Sequence, residues 1–153
     1  MSAGYAINSG SSAVALSAAT AKTVLGVVAA SAVTARLTEL GVSFDGVTAT
    51  AVPVLVELCR SSGGGAGTPG ATPTPAQVRG FTRTAQCTAG NAYSAEPTTL
   101  TVLKQWLVHA QTGMMKQSPL GREEEHTGAG GLFIRCTAPA TVNVRAYMEF
   151  EEG

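Results

Sequence analysis

Near its C-terminus the chain reads Thr141-Val142-Asn143-Val144-Arg145-Ala146-Tyr147-Met148-Glu149-Phe150, and these residues sort by parity. Val142, Val144, Ala146, Met148 and Phe150 form an apolar row, while Thr141, Asn143, Arg145, Tyr147 and Glu149 form a polar one. A period of two places one row in a core and the other towards solvent or a neighbour, which is the pattern of a half-buried strand. Upstream, Leu132 to Cys136 is also strand-like, and the intervening Thr137-Ala138-Pro139-Ala140 is short enough for a hairpin. These two strands are expected to pair.

Further from the C-terminus the same chemistry recurs. Arg36 to Phe44 carries Leu40, Val42 and Phe44 on one face, and Asp45-Gly46 supplies turn residues after it. Val52, Val54, Val56 and Leu58 follow, and because Pro53 offers no N–H to a ladder, this strand is expected either to begin near an edge or to point the missing N–H outward. Leu100 to His109 is a third such region, and Phe81 to Thr88 and Met114 to Ser118 are shorter ones. Ser17 to Ala35 reads either as an Ala-rich helix or as a strand over 23–30; the β-branched Thr23, Val24, Val27 and Val28 with Gly26 favour the strand. The expected fold is all-β, a two-sheet antiparallel sandwich, jelly-roll-like, of about eight strands.

Two stretches interrupt the pattern. Ser61 to Pro75 is a run of Gly, Pro, Ser, Thr and Ala, expected as a flexible surface loop, and Gly121 to Gly131 is expected as a shorter one. Residues 1–20, small and without sustained alternation, are expected to form an N-terminal arm, leaving 21–153 as one sandwich domain. A chain of 153 residues can bury one substantial core, whereas two would each be marginal.

Ten basic residues balance ten acidic ones and charged residues make up only 13%, which provides no field for nucleic acid or an anionic membrane and favours contact between copies. Val24 to Val33 is about half the length of a bilayer crossing, and the first basic residue is Lys22, so neither a transmembrane helix nor a signal peptide is expected. Cytosolic synthesis is. Cys59, Cys87 and Cys136 are odd in number and far apart, which points to reduced, buried thiols rather than a disulfide framework or a zinc site.

No catalytic, cofactor or metal site is expected. Arg122-Glu123-Glu124-Glu125-His126 has suitable groups but reads as a solvated charge run. Asp45, the sole aspartate, belongs to a turn rather than to a triad, and Gly63-Gly64-Gly65 lacks the Lys-Ser or Lys-Thr of a phosphate loop. Trp106 reads as a core residue alternating with Val102 and Val108. The interface candidates are His109 at a strand end and Arg145 and Tyr147 on the polar row of the last strand.

Several stretches resemble small structural proteins of tailed phages of actinobacteria. They are Ala21-Lys22-Thr23-Val24-Leu25-Gly26-Val27, Gly41-Val42-Ser43-Phe44-Asp45-Gly46, Pro53-Val54-Leu55-Val56-Glu57-Leu58-Cys59, Gln105-Trp106-Leu107-Val108-His109, Pro119-Leu120-Gly121-Arg122-Glu123 and Val142-Asn143-Val144-Arg145-Ala146-Tyr147. The resemblance implies a virion component without enzymatic activity, most simply a head decoration protein that binds the major capsid protein on the outer capsid surface as a homotrimer. It carries no active-site residues. The alternative is a tail- or fibre-associated module recognising a host receptor or glycan. The low aromatic content, 5%, argues against the carbohydrate-binding version.

Overall fold

The computed structural model describes residues 2–45, 52–62 and 65–153, and in these the only regular elements are strands. One sheet contains β1 (Ala3–Asn8), β2 (Val14–Leu16), β4 (Thr34–Asp45), β6 (Ala76–Arg79), β9 (Met114–Gln117), β10 (Glu124–Thr127) and β12 (Val142–Glu152). The other contains β3 (Ala21–Val28), β5 (Val54–Ser61), β7 (Thr88–Asn91), β8 (Leu100–Val108) and β11 (Gly131–Thr137). Every ladder between these strands is antiparallel. The fold is thus an all-β two-sheet sandwich, with twelve strands rather than eight.

The excess comes from short strands that share an edge. β1 and β2 lie end to end along one edge of β12, and β9 and β10 lie end to end along the outer edge of β4. None of the four offers a long alternation to a reader of the sequence.

The last strand follows its parity. Val142, Val144, Ala146, Met148 and Phe150 are buried, and the odd residues are not. In β4 the parity flips, because Ala35 and Leu37 face inward and then so do Leu40 and Val42. The flip is a bulge: Glu149 pairs with Glu39 and the next residue, Phe150, with Leu37, which leaves Thr38 as the extra residue. The Thr38 hydroxyl donates to the Glu149 carbonyl at 3.1 Å and secures the irregularity.

The expected β11–β12 pairing is not made. β11 lies between β3 and β5 in the five-stranded sheet, and residues 137–140 carry the chain across to the other sheet. Ala138 is fully buried in that crossing, and its carbonyl accepts a bond from the Ala19 N–H at 2.7 Å. The four residues span the sandwich instead of reversing the chain.

The N-terminal arm is also corrected. Ala3, Tyr5 and Ile7 point into the core, and β1 pairs with β12 from Ala3↔Glu152 to Asn8↔Tyr147. Tyr5 stacks on Phe150 with ring centroids 5.7 Å apart and donates its hydroxyl to the Arg83 carbonyl. Gly4 and Ala6 on the alternate row disguise the strand, because small residues read as neither apolar nor polar.

β3, β5 and β11 each carry consecutive buried residues, the mark of strands covered on both faces. The inner face meets the main core. The outer face carries a second cluster of Cys59, Tyr93 and Phe133, with Val28, Ala66 and Leu100 packed on it.

Ala66 belongs to the Gly/Pro-rich stretch expected to be flexible. Of its described residues, 61–62 and 65–75, Ser61 ends β5 and the rest is fastened: Gly65 accepts from the Thr98 N–H, Thr68 bonds to Ala95, and Ala71 bridges Asn91. The stretch Gly121 to Gly131 is not wholly loop either, since β10 runs through it beside β4. Phe81 to Thr88 is irregular until its last residue, where β7 begins. Ala21–Val28 is the strand rather than the helix. The turn expected at Asp45-Gly46 lies outside the described residues beyond Asp45.

Candidate functional site

Two of the three interface candidates meet in a groove on the outer face of the seven-stranded sheet. Arg145 and Tyr147 line it with Gly41 and Ser43 of β4, Asn8 of β1 and Met115 of β9, around a volume of about 660 Å³. Adjacent pairing produces the concavity. Tyr147 lies opposite Gly41, where any side chain would collide with the phenol ring, so the ring lies flat across the neighbouring strand.

Both candidates are internally bonded. The Tyr147 hydroxyl donates to the Glu39 carboxylate, which also accepts from the Gln117 amide. Burial and that hydrogen bond push the phenol up to about 12, and the same bond holds the Glu39 carboxyl below its ordinary value. Arg145 donates to the Ser11 carbonyl at 3.1 Å and pairs with Asp45 at 3.4 Å. The groove therefore presents a fixed shape rather than free charged groups.

His109 does not line it. Its carbonyl accepts from the N–H groups of Thr112 and Gly113 and from the Thr112 hydroxyl, and its Nδ1 accepts from the Gln111 N–H. It organises the turn between β8 and β9, whose Thr112 and Gly113 form one wall of the groove. Gly113 has φ +63°, the left-handed conformation that glycine adopts without strain.

Beside that wall is an apolar strip that the sequence did not reveal. Leu107 is 73% exposed and Met115 is 63% exposed, and both line a cleft with Trp106 and Met114 at the sandwich edge. Trp106 is half-buried, packing on the core with one side and lining this cleft with the other. Val102 does not share its face. A bulge between Leu58 and Cys59 puts Lys104 and Val102 opposite successive residues, so the parity assumed for β8 breaks at Leu103. β8 is the outer strand of its sheet, so one side of its backbone pairs with no other strand among the described residues.

The acidic run resolves into a latch between sheet edges. Glu124 on β10 accepts from Lys104 of β8, from Lys116 of β9 at 2.7 Å and from the Ser118 hydroxyl at 3.0 Å. Burial alone would raise its pKa, but the bonds from Lys104, Lys116 and Ser118 prevail and hold it at about 2. Glu125 pairs with Arg36 at 3.0 Å on the opposite face of β10. Strand alternation separates the carboxylates, so they do not converge on a common point, and among the described residues no three metal-ligating groups gather.

The cysteines are all free and buried. Burial pushes the Cys59 thiol up to about 11 and the Cys136 thiol to about 12. Burial and the neighbouring Glu152 carboxylate push Cys87 to about 12. Thiols so protonated are poor nucleophiles.

Glu152 is fully buried on the inward row of β12, where its carboxylate accepts from the N–H groups of Gln86 and Cys87 and faces Arg83 at 3.8 Å. It pins residues 83–87 over the end of the sandwich. Comparison with protein-family models, with curated proteins and with solved structures finds no match for this chain.

Proposed function

We propose that this chain is a non-enzymatic structural component of a tailed-phage virion, a decoration protein that binds the outer capsid surface and stabilises the head. The observation that carries the reading is the exposed strip of Leu107 and Met115 beside Trp106, where the outer strands β8 and β9 of the two sheets adjoin. Large apolar side chains gathered on an unpaired sheet edge are costly in a free monomer and gain by being covered. A surface of balanced charge, net +0, does not oppose that contact. The sequence resemblance supplies the particle, and a homotrimer is the assembly proposed.

The test is sedimentation of the purified protein with heads that lack it. Saturable binding that raises the heat resistance of the heads is expected, with Leu107→Asp and Met115→Asp weakening it. Failure of the folded protein to sediment with heads would contradict the reading.

A further inference from the structure

We propose that the groove between β7 and the Pro-rich stretch 65–75 binds an extended, uncharged peptide segment of a partner protein, added as a strand to the free edge of β7. This inference concerns a different surface from the strip of Leu107 and Met115 and does not depend on the reading as a virion protein.

The groove encloses about 540 Å³, and its walls include Pro69, Pro73 and Pro75 on one side and Thr88, Ala89 and Gly90 of β7 on the other. Among the described residues, no Lys, Arg, Asp, Glu or His lines it. Such a wall selects against a charged occupant, because a charge taken from water would find no partner there.

Tyr93 closes the groove and is only 3% exposed. Its ring is fixed edge-on against Phe133, with centroids 5.8 Å apart at 85°. Its hydroxyl lies over Gly90, where a side chain would collide with it, and close beside Gly26. That hydroxyl has no hydrogen-bond partner among the described residues, whereas no sealed side-chain polar atom there lacks one. The hydroxyl must therefore open to space, and the groove is the space that Tyr93 lines. Burial, with the nearby Glu96 carboxylate, pushes the phenol up to about 12, so at neutral pH it is a donor.

The backbone of β7 offers a matching pair. Ala92 donates its N–H to Val24 of β3, whereas Asn91 exchanges bonds with Ala71 on the other side. Strand alternation then turns Gly90 towards β3 and the N–H and C=O of Ala89 outward, into the groove. Neither group has a partner there among the described residues, although Ala89 is buried. A free donor and acceptor on one edge residue, beside apolar walls and a phenol donor, is the arrangement used in recognition by strand addition. The incoming backbone would pair with Ala89, give a carbonyl to Tyr93 and lay small apolar side chains on the prolines.

The probe is the capped peptide acetyl-Thr-Val-Ala-Val-Thr-amide, titrated into isotope-labelled protein and followed by amide chemical shifts. Saturable shifts confined to residues 65–75 and 88–93 are expected. N-methylating alternate peptide residues should abolish binding in one phase and spare it in the other, because only every second N–H of an added strand faces its partner. Tyr93→Phe should weaken binding about five- to tenfold, the usual scale of one hydrogen bond, without lowering the melting temperature. No shifts at millimolar peptide, equal sensitivity to both N-methylation phases or unchanged binding to the Phe variant would overturn the proposal. The same shifts appearing on concentrating the protein alone would overturn it in favour of a second copy.

Discussion

Met148 and Asn143 belong to one strand and differ in which way they face. Met148 is fully buried on the inward row, whereas Asn143 lies on the outward row opposite Asp45. Met148→Ala should cost about 2–5 kcal/mol through lost contacts and the cavity left behind. Asn143→Ala should stay within about 0.5 kcal/mol, and thermal unfolding of the two variants measures the difference. Glu124 gives a pH-dependent counterpart. Its carboxyl titrates near 2 in the fold against an ordinary 4.5, so its stabilising contribution is complete above about pH 4.5 and is lost as pH falls through 2. Glu124→Gln should lower stability at pH 7 by about 2 kcal/mol, and denaturant titrations should show the gap closing towards pH 2. Arg145 and Tyr147 were legible as surface groups because they interrupt an apolar alternation. Tyr93 was not, since it lies beyond the end of β7 after Ala92, whose φ of +47° breaks any period.

Elements were legible where alternation was long and unbroken. β12 declares its inward row over its whole length, but β4 and β8 each change parity at a bulge, which no residue type announces. β3, β5 and β11 were visible as strands, although not as strands covered twice, because their second cover is a Gly- and Pro-rich stretch with few apolar side chains. Replacing residues 65–75 by a short Gly-Ser link should uncover that outer cluster. Thiol labelling of the native protein should be slow at all three cysteines, and the replacement should accelerate it at Cys59, and at Cys87 in the groove beside it, but not at Cys136. Equal acceleration at Cys136 would mean that the whole sandwich had opened. β1 escaped notice because its outward row is Gly4 and Ala6. Deleting Ser2 to Ala15 removes β1 and most of β2 from β12, and with them Tyr5, Ile7 and Val14 from the core. Calorimetry should then show no cooperative transition, and a deletion variant that still melted sharply would contradict the placement of β1.

At the scale of the whole molecule, the architecture follows from pattern, whereas the sites follow from contacts between distant stretches. The Glu124 latch joins residues 104, 116, 118 and 124, and the groove at Tyr147 joins β1, β4, β9 and β12. Sequence shows the chemical types at such places and not their convergence. A sandwich of zero net charge with an exposed apolar edge is suited to a life in contact with other molecules, and the sequence resemblance makes a phage head the particle proposed. The most direct measurement is a cryo-electron-microscopy reconstruction of the virus particle that carries this protein. Twelve-stranded density on the outer capsid surface, in groups of three, with Leu107 and Met115 covered at a contact, is the expected result. Density for the chain only in the tail or fibres, or none in the particle, would contradict the account.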